Sequence, residues 1–64
     1  MIPLATEKQV ELIKILDKYA PARVYAMRET YGGLWSIPKS EAIELIRDLL
    51  NIQADVKARE KDYQ

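Results

Sequence analysis

Thr6-Glu7-Lys8-Gln9 opens one apolar-periodic run and Pro38-Lys39-Ser40-Glu41-Ala42 opens another, and these two starts decide the fold. In the first, Thr6 at the N-cap and Gln9 three residues later form a capping box. Each side chain satisfies a backbone N–H that the first helical turn leaves without a partner. Val10, Ile13 and Leu16, flanked by Leu12, Ile15 and Tyr19, then recur at helical spacing, while Glu7, Lys8, Glu11, Lys14, Asp17 and Lys18 fill the other side. Ala20 precedes Pro21 and is pushed toward extended backbone, so the pattern predicts a helix over about residues 6–19.

Pro21 suits the first turn of a second helix, in which Val24, Met27 and Tyr31 share a face before Gly32 supplies a C-terminal cap. That helix is predicted over about residues 21–31. Leu34, Trp35 and Ile37 form an apolar connector without a periodic polar face, so it must fold back, and Trp35 is expected to close the core. The third helix, about residues 38–60, carries the strongest periodicity, with Ser36 or Ile37 at its cap. Its apolar set is Ala42, Ile43, Leu45, Ile46, Leu49, Leu50, Ile52 and Val56. Beyond Asn51 the pattern thins among charges, with Asp55 and Arg59 spaced as a favourable helical pair, so residues 51–64 read as a frayed or partner-binding tail. The expectation is an all-α, compact three-helix module forming a single small domain over residues 1–64, with an extended C-terminal helix.

Length and composition narrow the function. A chain of 64 residues buries only about 60% of its unfolded surface, which leaves a thin core and favours further burial against a partner. There is no cysteine and no histidine, so neither a disulfide nor a zinc site staples the fold, and a reducing, cytoplasmic setting is expected. The N-terminus lacks a basic segment followed by a long apolar one, and no apolar run approaches the ~20 residues that span a bilayer, so no membrane association is expected. Ten basic and ten acidic side chains cancel, so any attraction to nucleic acid must come from a local patch.

Catalytic constellations are scarce. Glu41, Glu44 and Asp48 share a helix face at a spacing that suits a divalent cation, but a solvated face that complements the helix dipole explains them better. Thr6, Thr30, Ser36 and Ser40 have no histidine to act as their base. Gly32-Gly33 precedes no Gly-Lys-Ser/Thr sequence, so a capping turn outweighs a phosphate loop. No catalytic residue, cofactor or metal is assigned, and the chain is expected not to be an enzyme.

One patch stands out. Between Ala20 and Lys39 the chain carries Arg23, Arg28 and Lys39 against Glu29 alone, interleaved with Tyr25, Tyr31 and Trp35. Cations meet phosphates and an exposed ring stacks on a base, so Arg23, Arg28, Tyr31, Trp35 and Lys39 are candidate nucleic-acid contacts. The competing reading makes Tyr31 and Trp35 core residues with the arginine stems laid along them.

Ala5-Thr6-Glu7-Lys8-Gln9 with Ile13 and Leu16, then Lys39-Ser40-Glu41-Ala42 with Leu45-Ile46 and Leu49, resembles a short helical module of bacterial proteins, also appended to phage recombination and replication proteins. That module pairs Thr-x-Lys-Gln with a later Thr/Ser-Lys-x-Glu-Ala-x-x-Leu-Ile, and the resemblance covers about residues 5–50. Pro38 stands where the module carries a capping Thr or Ser. The later half, with Leu34, Lys39, Ile43, Leu45, Ile46 and Leu50, is also similar to the SAP helix-extended-helix motif, a small DNA-binding unit. The resemblance implies a phage or bacterial accessory of recombination or replication.

Three functions follow as expectations. The first is a non-catalytic module docking on a protein of DNA metabolism or host defence. The second is a direct DNA-binding module using the central patch. The third is a self-assembling homodimer whose seam is Leu45, Leu49, Ile52 and Val56.

Overall fold

The computed structural model describes residues 2–62, with Lys61 and Asp62 described by their backbone alone; Tyr63 and Gln64 of the expected tail, and Met1, lie outside the described residues. Three helices, α1 (Glu7–Leu16), α2 (Pro21–Tyr31) and α3 (Lys39–Asp62), make the fold all-α.

Helix α1 starts as its sequence dictates. Gln9 donates its N–H to the Thr6 hydroxyl at 3.2 Å, and Thr6 donates its N–H to the Gln9 side-chain oxygen at 2.9 Å. Val10, Ile13 and Leu16 are buried. The helix ends three residues before the expected boundary, because the chain tightens into a 3-10 turn at Asp17–Tyr19. Ala20, at φ −155° and ψ 68°, then leaves the helical region before Pro21, whose ring disfavours it there, without reaching the expected extended backbone.

Helix α2 carries Pro21 at its first position and ends at Gly32 in the left-handed conformation, φ 80°. Gly33 at φ 140° donates to the Arg28 carbonyl at 2.8 Å, so two glycines in succession make the reversal that a Cβ would strain. Val24 is buried, with Met27 and Tyr31 packed half-buried against the core.

The connector departs from expectation at Trp35. Leu34–Ser36 form a second 3-10 turn, in which residues three apart eclipse one another. That geometry turns Leu34 and Ile37 inward together and leaves Trp35 outside, 56% exposed, so Ile37, with no exposed surface, closes the core instead. Ile37 is held by a pairing absent from the sequence reading. Ala5 donates to the Ile37 carbonyl and Lys39 to the Pro3 carbonyl, both at 2.8 Å, around an isolated antiparallel bridge between Leu4 and Pro38. The N-terminal segment thereby buries Ala5 and ties the chain start to the start of α3.

Helix α3 begins one residue later than expected and runs two residues further. The Pro38 carbonyl accepts the first helical bond from Ala42 at 2.9 Å, so Pro38, rather than Ser36 or Ile37, stands at the cap. Ala42, Leu45, Ile46 and Leu49 face α1 and are buried. Ile43 and Leu50, expected in the core set, lie about 100° around the helix from that seam and stay largely exposed. Past Leu49 the cover thins. Gln53 reaches the Tyr19 hydroxyl at 3.4 Å, and residues 54–60 are exposed throughout. The molecule therefore measures 49 × 18 × 15 Å, and its 12.9 Å radius of gyration exceeds the roughly 11 Å of a spherical chain this long. No helix among the described residues is long and apolar enough to cross a membrane.

Candidate interaction surface

The expected basic patch divides when its residues are placed. Arg23 on α2 forms an ion pair with Asp48 on α3. Both side chains are partly exposed, so the pair contributes no more than about 1 kcal/mol. It nevertheless sets a carboxylate against the guanidinium that was expected to meet phosphates. Tyr31 packs half-buried on the core, which leaves its ring little free surface for stacking. Arg28, Trp35 and Lys39 are exposed, Lys39 in the first turn of α3 and Trp35 in the second 3-10 turn.

The assumed dimer seam needs correction. Leu45 and Leu49 are wholly buried in the monomer's own core, because α1 and Ile37 already cover that face of α3. Ile52 is half-buried and Val56 exposed, so only these two of the four are offered to a second chain. The carboxylates Glu41, Glu44 and Asp48 do not come together as a metal site, and no group of His, Cys, Asp or Glu able to hold one occurs among the described residues. Two of the candidate hydroxyls serve the backbone: Thr6 caps α1, and Thr30 donates to the Ala26 carbonyl at 2.8 Å.

What the fold does assemble is an open groove of about 540 Å³ where the end of α1 and the turn after it meet α2. Val24 and Leu34 supply its apolar lining, with Lys14 and Asp17 contributed from one side and Tyr25 and Arg28 from the other. Tyr25 is 58% exposed, and the Arg28 guanidinium lies 5.6 Å from the centre of its ring, within range of a cation–π contact. The pair forms because residues three apart are neighbours on a helix. At the groove's other end is the start of α2, where Pro21 and Ala22 line the surface. That terminus has no side-chain cap and no acidic residue in its first turn.

Sequence reasoning placed Tyr25 and Arg28 in the patch but left out Lys14, Asp17 and Leu34, since only the turn at Asp17–Tyr19 and the reversal at Gly32-Gly33 bring them alongside α2. The Ala20-Pro21 break was the signal that the two helices meet at an angle there. No protein-family model, curated protein or solved structure matches this chain.

Proposed function

We propose that this chain is a small non-catalytic binding module that docks on another protein through the α2 face. The observation that carries this reading is the outward placement of Tyr25, Arg28 and Trp35 around α2 and the turn that follows it. Tyr, Trp and Arg are the residue types that dominate interface energetics, because each joins a large contact area to a polar tip at modest entropic cost. A core drawn from ten small-to-medium apolar residues gives no role to the single tryptophan, yet the ring stands in water. The resemblance to a module of phage and bacterial recombination and replication proteins makes a protein of DNA metabolism or host defence the fitting class of partner.

Direct DNA binding is the second reading, favoured by the exposure of Arg28, Trp35 and Lys39. The Arg23–Asp48 pair and the zero net charge weigh against it, since phosphate binding draws on uncompensated cations.

Photo-crosslinking tests the first reading. A benzoylphenylalanine placed at Tyr25 or Trp35, in the native cell, should yield a discrete protein adduct that the same probe at Lys8 does not. Adducts to nucleic acid alone, or equal labelling from all three positions, would overturn it.

A further inference from the structure

We infer that the groove between the end of α1 and α2 takes an acidic-apolar peptide segment, an apolar side chain flanked by a carboxylate; this rests on the protein-docking reading above. Three features of the groove favour negative charge. Lys14 and Arg28 stand on its two sides, and neither forms a salt bridge with any carboxylate among the described residues. The third, and weakest, is the positive end of the α2 dipole, reduced because Pro21 has no N–H and those of Arg23 and Val24 already bond the Ala20 carbonyl. Asp17 is the sole acid in the lining. Its carboxylate leaves the groove cationic on balance and makes its two ends unlike, which gives an incoming segment a preferred direction.

The floor decides what kind of anion fits. Val24 and Leu34 offer an apolar recess next to the Tyr25 ring, suited to an aliphatic or aromatic side chain. Asp17 within the groove and Asp48 beside Arg23 would repel the successive phosphates of a strand, but a peptide bearing one or two carboxylates can keep clear of both. The Arg28 guanidinium, 5.6 Å from the Tyr25 ring centre, sets its charge beside the recess, where a carboxylate flanking the apolar side chain can reach it.

The test is a selection from a random peptide display library against the folded chain at near-physiological salt. It is followed by anisotropy titrations of the strongest binders and of labelled single-stranded DNA. Selected peptides are expected to pair a carboxylate with an apolar residue and to weaken roughly tenfold or more against Arg28→Glu. A peptide with its acid changed to lysine should then recover affinity for that variant, which a merely unfolded protein would not show. Peptides that bind Arg28→Glu and Lys14→Glu as well as the parent overturn the groove and leave protein docking standing elsewhere on the surface. A library that returns no binder also overturns it, and if DNA then binds with steep salt dependence, the docking reading falls with it.

Discussion

Leu49→Ala and Leu50→Ala set adjacent residues of α3 against each other. Leu49 has no exposed surface and sits among Val10, Ile13, Leu45 and the rest of the single core cluster, while Leu50 is 45% exposed. Truncation to alanine removes three carbon atoms, about 2.4 kcal/mol at 0.8 kcal/mol per buried carbon. A fully enclosed site adds a cavity contribution that brings such substitutions to about 2–5 kcal/mol. Leu50 has already left roughly half its surface in water, and its loss leaves an open notch rather than a cavity, so about 1 kcal/mol is expected. A core of this size supplies only about 3–5 kcal/mol, so Leu49→Ala should consume most of the stability and Leu50→Ala a minor share. Urea unfolding followed by far-ultraviolet circular dichroism measures both, the midpoint shifting at nearly constant slope. Equal losses from the two variants, or a near-neutral Leu49→Ala, would refute the placement of α3 against α1.

Other consequences are open to the same assay. Trp35→Ala should cost less than about 1 kcal/mol, since the ring is mostly in water, and iodide should quench Trp35 fluorescence readily in the native state; a loss above about 2 kcal/mol would mean the ring is core. Gly32→Ala should destabilise by about 1–2 kcal/mol although nothing lies within 4 Å of the added Cβ, because the cost is the left-handed backbone itself. Ending the chain after Ala54 should preserve the cooperative transition, and ending it after Asn51, which removes Gln53 from Tyr19, should lower the midpoint; collapse of helicity on ending after Ala54 would make the residues beyond it part of the core.

Local rules carried the sequence reading as far as backbone chemistry reaches. Thr6 and Gln9 announced the start of α1, Ala20-Pro21 the break after it, and Gly32 the end of α2, since each acts within a few residues of itself. The apolar faces of α1 (Val10, Ile13, Leu16) and of α3 (Ala42, Leu45, Leu49) were each legible in period, but not that they meet, since Leu45 and Leu49 served equally well as a seam between two copies. Trp35 was misplaced because hydrophobicity does not say whether a short connector adopts an extended or a 3-10 backbone, and that choice sends the ring outward. Ile43 and Leu50 entered the apolar set of α3 on hydrophobicity and spacing, which do not say how wide a face of the helix is covered. The Leu4–Pro38 bridge and the Arg23–Asp48 pair join residues far apart in the chain, and no local pattern marks either. The candidate groove was half visible for the same reason: Tyr25 and Arg28 share a helix face, whereas Lys14 and Leu34 reach them only through the fold.

Whether this chain engages a protein segment or a phosphate backbone is tested most directly by anisotropy of labelled single- and double-stranded DNA over a salt series, because the slope counts the phosphates contacted. The account predicts at most weak binding at low salt, gone near physiological salt and no weaker in Arg28→Glu than in Leu50→Ala. Binding that persists near physiological salt with a steep slope, and that Arg28→Glu abolishes in a folded protein, would contradict it.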